Sequence, residues 1–245
     1  MARQARELSD SGYMHVIVRG TDRQPLFATE EDYAFYLASL DRYSLVLRVT
    51  VCAWCLMENH AHLLLYDTGK QIPTLMKKLG VRYSRYFNQK YDRTGHLFQD
   101  RYRSEKVEDD AYLATVFRYI LRNPEKAGIC KASEYRWSSY ALYGNRESLA
   151  DTGALEKIIG DQGAYETWIA EENDDECLEY MPPKHDDDWA LKVIHKQLGG
   201  ISGAALRDMD REVRNGALRK LKKAGLSVRQ IERLTGINRG TIQKA

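Results

Sequence analysis

Apolar positions along the first 143 residues follow two periods, and the switches between them mark the elements. Tyr13–Arg19 (YMHVIVR) is rich in β-branched residues and stops at Gly20, which predicts a strand. Glu30–Tyr43 sets Tyr33, Tyr36, Leu37 and Leu40 at helical spacing behind Thr29 as N-cap. Leu47–Met57 reads as a second strand, and His60–Tyr66 (HAHLLLY) as its hairpin partner across a turn near Glu58 and Asn59. Ile72–Tyr91 is a long helix with Leu75, Leu79, Tyr83 and Tyr86 near one face. Arg101–Val107 is a further strand, and Ala111–Leu121 a helix closed by Asn123-Pro124. The order β-α-β-β-α-β-α predicts an α+β fold: a ferredoxin-like antiparallel sheet with helices on one face.

Past Tyr143 the pattern weakens. Residues 146–190 are acidic, contain Pro182-Pro183 and Asp186–Asp188, and read as a helical, loosely packed connector. In residues 191–245 a charged helix over Arg207–Ala224 precedes AGLSVRQIERLTGINRGTIQKA. There Ser227 caps a short helix, Gly236 breaks it, and Asn238 opens a second with Ile237 and Ile242 inward. That is a helix-turn-helix pattern, though a structural helical hairpin has the same period. The expected division is 1–145, 146–190 and 191–245.

Charge sharpens this division. Residues 1–145 carry 21 Lys/Arg against 17 Asp/Glu, residues 146–190 carry 3 against 14, and residues 191–245 carry 13 against 4. Two basic lobes around an acidic stretch suggest a polyanion partner, although a solvated helix face can be basic for solubility alone. Ten of the Lys/Arg fall in residues 70–106, interleaved with Tyr83, Tyr86, Phe87, Tyr91, Phe98 and Tyr102, as single-stranded nucleic acid requires. At 43% hydrophobic and 29% charged the 245-residue chain is not a disordered or fibrous sequence. No apolar run approaches the roughly 18 to 20 residues of a membrane span, and MARQARELSDSGY lacks the apolar core of a secretory signal. Four scattered cysteines favour a reducing cytoplasm.

Chemistry concentrates in two places. His60-Ala61-His62 sits in a strand, where residues two apart share a face, so both imidazoles can reach one divalent cation. On its own such a pair is more often simply packed or exposed. Cys52 and Cys55 could join them in a zinc site, but three residues apart in a strand they should face opposite ways, and core packing is the expected role. Tyr119 and Asn123 lie one helical turn apart. A phenol beside a metal-bound phosphate can act as a nucleophile, and an amide oxygen one turn on can be a third hard ligand. Read without further context, Tyr119 is an amphipathic core residue and Asn123 a helix end.

Together the stretches HVIVRG (15–20), MENHAHLLL (57–65), RYSRYFNQKYDRTGHLFQDRYRS (82–104), YILRNPEKAG (119–128) and WSSY (137–140) resemble the HUH single-tyrosine transposases, specifically the REP-associated tyrosine transposases of the IS200-like superfamily. The C-terminal AGLSVRQIERLTGINRGTI resembles a helix-turn-helix appended in some members. The resemblance implies the HUH endonuclease fold for residues 1–145, His60 and His62 as paired metal ligands, Tyr119 as nucleophile and Asn123 as third ligand. It implies Mg2+ or Mn2+, and attack on single-stranded DNA at a hairpin through a 5′-phosphotyrosine. Arg19, Arg82, Arg85, Arg101 and Arg103 are the expected contacts to the hairpin and its flank. Arg229, Asn238 and Arg239 are those of the terminal module, which could add duplex DNA. The expected setting is cytoplasmic and nucleoid-associated, as monomer or homodimer. The alternative is a DNA-binding regulator or domesticated remnant that uses the helix-turn-helix and does not cleave.

Overall fold

The computed structural model describes residues 9–171, 177–178, 187–200 and 202–244. The first eight residues, and Pro182-Pro183 and Asp186 of the expected connector, lie outside them. The chain divides into two compact units, Met1–Tyr180 and Met181–Ala245.

The first unit is built on a four-stranded sheet. In chain order its elements are β1 (Tyr13–Arg19), α1 (Glu30–Leu47), β2 (Thr50–Met57), β3 (His60–Tyr66), α2 (Ile72–Lys90), β4 (Arg103–Val107) and α3 (Asp110–Leu121), with α4 (Asn123–Lys126) directly after. The sheet order is β2-β3-β1-β4 and every pairing is antiparallel. This is the split topology expected from the sequence. Its boundaries shift where caps outweigh strand-forming residues: α1 runs to Leu47 because Arg48 takes a left-handed conformation (φ 55°), returning the chain to Ser44 O, and only then does β2 begin. Asp109 starts α3 by accepting a 2.7 Å bond from Tyr112 N.

Helices on one face alone is an expectation the structure corrects. Alternation in the central strands sorts two apolar sets. Met14, Val16, Val18, Ala61, Leu63 and Leu65 pack beneath α1 and α2, whereas Cys55, Met57 and Leu64 pack against Val116, Phe117 and Ile120 of α3. The sheet is therefore a middle layer, and His15, His60 and His62 lie on its α3 side. A second correction concerns Cys52 and Cys55. A register shift between Val51 and Ala53 inserts an extra residue, so both cysteines join the α3-side core instead of facing apart. They are free and buried, with burial pushing both thiols up, and core packing is their role.

The expected connector also changes. α5 (Gly153–Ile159) and α6 (Gln162–Ala170) bury Leu155, Tyr165 and Ile169 in the α3-side core, where Tyr143 and Tyr165 stack at 4.1 Å. Their exposed positions are mostly polar or small, among them Lys157, Gln162, Glu166 and Thr167, and the apolar side makes them part of the first unit.

The second unit gathers α7 (Asp187–Gln197), α8 (Arg211–Lys223), α9 (Val228–Thr235) and α10 (Arg239–Lys244) around Ile194, Leu218, Leu221, Ile231 and Ile242. Arg207, expected inside α8, precedes it in a short 3₁₀ segment and donates from Nε to Thr235 O at 2.9 Å. Ser227 and Gln230 form a capping box at the start of α9, and Gly236 ends it at φ 67°, a conformation glycine takes without a Cβ penalty. No helix among the described residues is long and apolar enough to cross a membrane.

Candidate functional site

Where β3 passes beneath the end of α3, a cleft of about 220 Å³ is lined by Arg19, Met57, His60, His62, Tyr119, Asn123, Lys126 and Ala127. Period-2 geometry brings His60 and His62 to one face of β3, and β1 alternation adds Arg19, whose register partner is His60. Helical geometry stacks Tyr119 and Asn123 one turn apart above them. The rings of His60 and His62 are 5.0 Å apart between centroids, and those of His62 and Tyr119 are 5.8 Å apart at 69°. The four residues singled out for metal binding and attack thus share one cleft.

Each ring nitrogen and amide atom has a direction. His60 Nδ1 donates to Asn59 Oδ1 at 2.7 Å, and His62 Nδ1 pairs with His15 Nε2 at 3.0 Å. In both rings Nε2 is the nitrogen left over. Asn123 donates from Nδ2 to Tyr119 O at 2.9 Å, which leaves Oδ1. Burial, then the charge of Arg19, lowers His60 to about 4; burial, then His60, His15 and Arg19, holds His62 well below the ordinary imidazole value. Both imidazoles are neutral near pH 7, the form with a free lone pair. Two neutral imidazole nitrogens and a carboxamide oxygen fit a divalent cation of intermediate hardness. Among the described residues, no cluster of three or more His, Cys, Asp or Glu offers another metal site.

Two residues of this site were not found from the sequence. His15, fully buried, backs His62; its signal was the alternation of YMHVIVR, which sets it on the same strand face as Arg19. Lys126 holds its ammonium 4.2 Å above the Tyr119 ring, from the short helix α4 that begins at Asn123-Pro124 and that periodicity did not foreshadow. Other tyrosines are committed elsewhere: Tyr83 OH donates to Leu26 O and Tyr86 OH to Asp32 at 2.9 Å.

The five arginines expected to act together separate. Arg19 lines the cleft, and Arg103 pairs with Ile17 on β4, so it shares the cleft's sheet face. Arg101 lies outside β4 and lines a groove with Val18 and Tyr36 on the α1–α2 side, while Arg82 and Arg85 line another groove between α1 and α2. Arg82 also stacks over Phe35 at 5.0 Å. In the second unit Arg229 is exposed on α9 and Arg239 pairs with Glu232 at 3.3 Å. Asn238 Oδ1 accepts from Gly240 N at 2.8 Å and Thr241 N at 3.2 Å, so that side chain caps α10.

The sheet that carries this cleft has counterparts among known proteins. Residues 9–123, just under half of the chain, match the family model of IS200-like transposases. Among solved structures the chain is similar to a REP-associated tyrosine transposase bound to a REP hairpin, with a TM-score of 0.51 and 14% identity over 62% of this chain and 93% of that one. At that identity the likeness is one of fold. A transposase candidate from Deinococcus radiodurans R1 shares 20% identity over 48% of this chain and 95% of its own, with a TM-score of 0.35 that carries no argument. No curated protein matches the sequence.

Proposed function

We propose that this protein is a transposase-type endonuclease and strand transferase that acts on single-stranded DNA beside a hairpin, with Tyr119 as nucleophile. The observation that carries the reading is the cleft shared by His60, His62, Tyr119 and Asn123. Tyr119 Oη attacks a phosphorus, the bond to the 3′-oxygen breaks, and that oxygen leaves as a 3′-hydroxyl while the 5′-phosphate stays on the tyrosine. A 3′-hydroxyl of another strand then attacks the same phosphorus and releases Tyr119, so ester energy is conserved and no nucleotide is consumed. Lys126, over the ring, and Arg19, in the cleft, supply two cations beside the phosphate under attack. His60, His62 and Asn123 would hold Mg2+ or Mn2+, which supplies charge neutralisation at phosphoryl oxygens. The fold likeness to a protein bound to a REP hairpin makes such a hairpin the first substrate to try. Action on DNA places the protein in the cytoplasm with the nucleoid. The pair α9–α10 is the helix-turn-helix of a duplex-binding module, with Arg229 exposed on it.

The test is a labelled single-stranded hairpin from the flank of the protein's own gene, incubated with Mn2+ or Mg2+ and run on a denaturing gel. Wild type should give a protein–DNA adduct that needs the metal and is absent in Tyr119→Phe and His62→Ala. Hairpin binding by wild type without any adduct would replace this reading by a DNA-binding regulator.

A further inference from the structure

Behind His62 the first unit holds a polar chain that the proposed chemistry does not use. His15, on the central strand, is fully buried, and its Nε2 lies 3.0 Å from His62 Nδ1 with the rings 5.3 Å apart and inclined by 25°. On its other side Nδ1 stands 4.0 Å from Glu105 Oε2, on the neighbouring strand β4. Glu105 is itself held, by a 3.0 Å bond from Leu178 N and a hydrogen bond from the hydroxyl of Tyr112. Burying an imidazole costs free energy that packing alone would recover better with leucine, so its polar partners need an explanation.

We propose that Glu105 and His15 form a relay that fixes His62 as the Nδ1–H tautomer, with its Nε2 lone pair left for a cation in the cleft. The inference rests on the metal reading above. The direction follows from charge. The carboxylate is too far for a hydrogen bond and is itself about one-third exposed, at 34%, but it faces a fully buried His15 Nδ1 and favours the proton there. His15 Nε2 is then the acceptor, His62 Nδ1 must donate to it, and His62 Nε2 carries no proton. Asn59 does the same for His60 by accepting from its Nδ1. Both ligands are thus oriented from behind by a hydrogen bond, one from a neighbouring amide and one from a buried histidine. His15 is not itself a ligand candidate: one nitrogen is given to His62, the other faces Glu105, and it does not line the cleft. It is a positioning residue.

The full-length protein tests this without relying on cleavage. Nitrogen-15 NMR of metal-free wild type should show His62 protonated on Nδ1 and bare on Nε2; the opposite tautomer overturns the proposal, and needs no variant to fold. Mn2+ titration followed by EPR should find His15→Phe weaker by roughly 10- to 100-fold. His15→Gln, whose amide oxygen can accept from Nδ1–H, should recover part of that loss. Hairpin binding without metal should be equal in all three, which separates a positioning effect from misfolding. Unchanged Mn2+ affinity in His15→Phe also overturns the relay. If wild type binds Mn2+ in this His15-dependent way yet never forms the covalent adduct, the relay stands and the nuclease reading fails.

Discussion

Three neutral histidines beneath one helix make the site sensitive to acid before any DNA is present. Burial lowers His15 to about 3, and burial with Arg19 lowers His60 to about 4, whereas both titrate near the ordinary 6.5 once the chain unfolds. The folded values lie below the unfolded ones, so between about pH 4 and 6.5 the unfolded chain binds protons that the native chain refuses. Stability is full above that window and falls as the pH is lowered through it, by at most ~1.4 kcal/mol per pH unit for each histidine. Urea midpoints should drop from pH 7 to pH 5, and the slope should flatten in His15→Gln; a midpoint constant over that range contradicts the assignment. Asn123 gives a second handle. Its Nδ2 serves Tyr119 O and, at 3.4 Å, Ile120 O, so Asn123→Asp sets a carboxylate against two carbonyl oxygens. A loss of about 1–3 kcal/mol in urea denaturation is expected, and Asn123→Gln should not reproduce the pairing because its amide sits one methylene further out. At this scale the sequence was legible where a period sets a face: His60 with His62, and Tyr119 with Asn123. His15 was legible in its face and not in its use, since only the pairing of β1 with β3 shows that it meets His62.

Elements here are joined by polar clamps as well as by apolar area. Asp32, fully buried at the start of α1, accepts from Ala28 N and Thr29 N, from Tyr86 OH and Tyr91 OH, and from Lys90 Nζ at 2.8 Å. It thereby ties the first turn of α1 to the last turns of α2. Burial acts to raise its carboxyl, and Lys90, Tyr91 and the two amides overcome it, leaving the group at about 2. Asp32→Asn should destabilise the first unit by about 3 kcal/mol in urea, since Lys90 is left without its buried partner. In wild type this contribution is present above the unfolded value of 3.8 and is lost as the pH falls toward 2. Thr29 was recognisable as a cap ahead of the helical spacing of α1, and the structure adds that Asp32 closes a capping box with it. That Tyr86 and Tyr91 turn back to the same carboxylate was not, because it depends on the crossing of α1 over α2. The extra residue near Cys52 escaped for a related reason: a bulge is a property of the pairing with β3, and nothing in TVCAWCLM differs from a regular strand.

At the scale of the whole molecule the decisive residues are those whose charge concealed them. Residues 146–171 look like the start of an acidic tether, yet Leu155, Tyr165 and Ile169 are each no more than 3% exposed and lie against α3, the helix that carries Tyr119. Fully burying three such side chains is worth about 5–9 kcal/mol, comparable to the total stability of an ordinary domain. A fragment ending at residue 145 should therefore lack a cooperative thermal transition and form no adduct with Tyr119. A fragment ending at Tyr180, where the first unit ends, should melt cooperatively and form the adduct at a rate near that of the full chain, having lost only α7 to α10. If α9 and α10 bind duplex DNA, the same fragment should lose duplex affinity in filter binding while it keeps the hairpin. Equal activity of the two fragments would show that α5 and α6 are dispensable, and the core beneath α3 would then have to be self-sufficient. Activity in neither would place part of the chemistry in the second unit. The comparison thus separates what α5 and α6 contribute beneath the tyrosine from what α7 to α10 contribute.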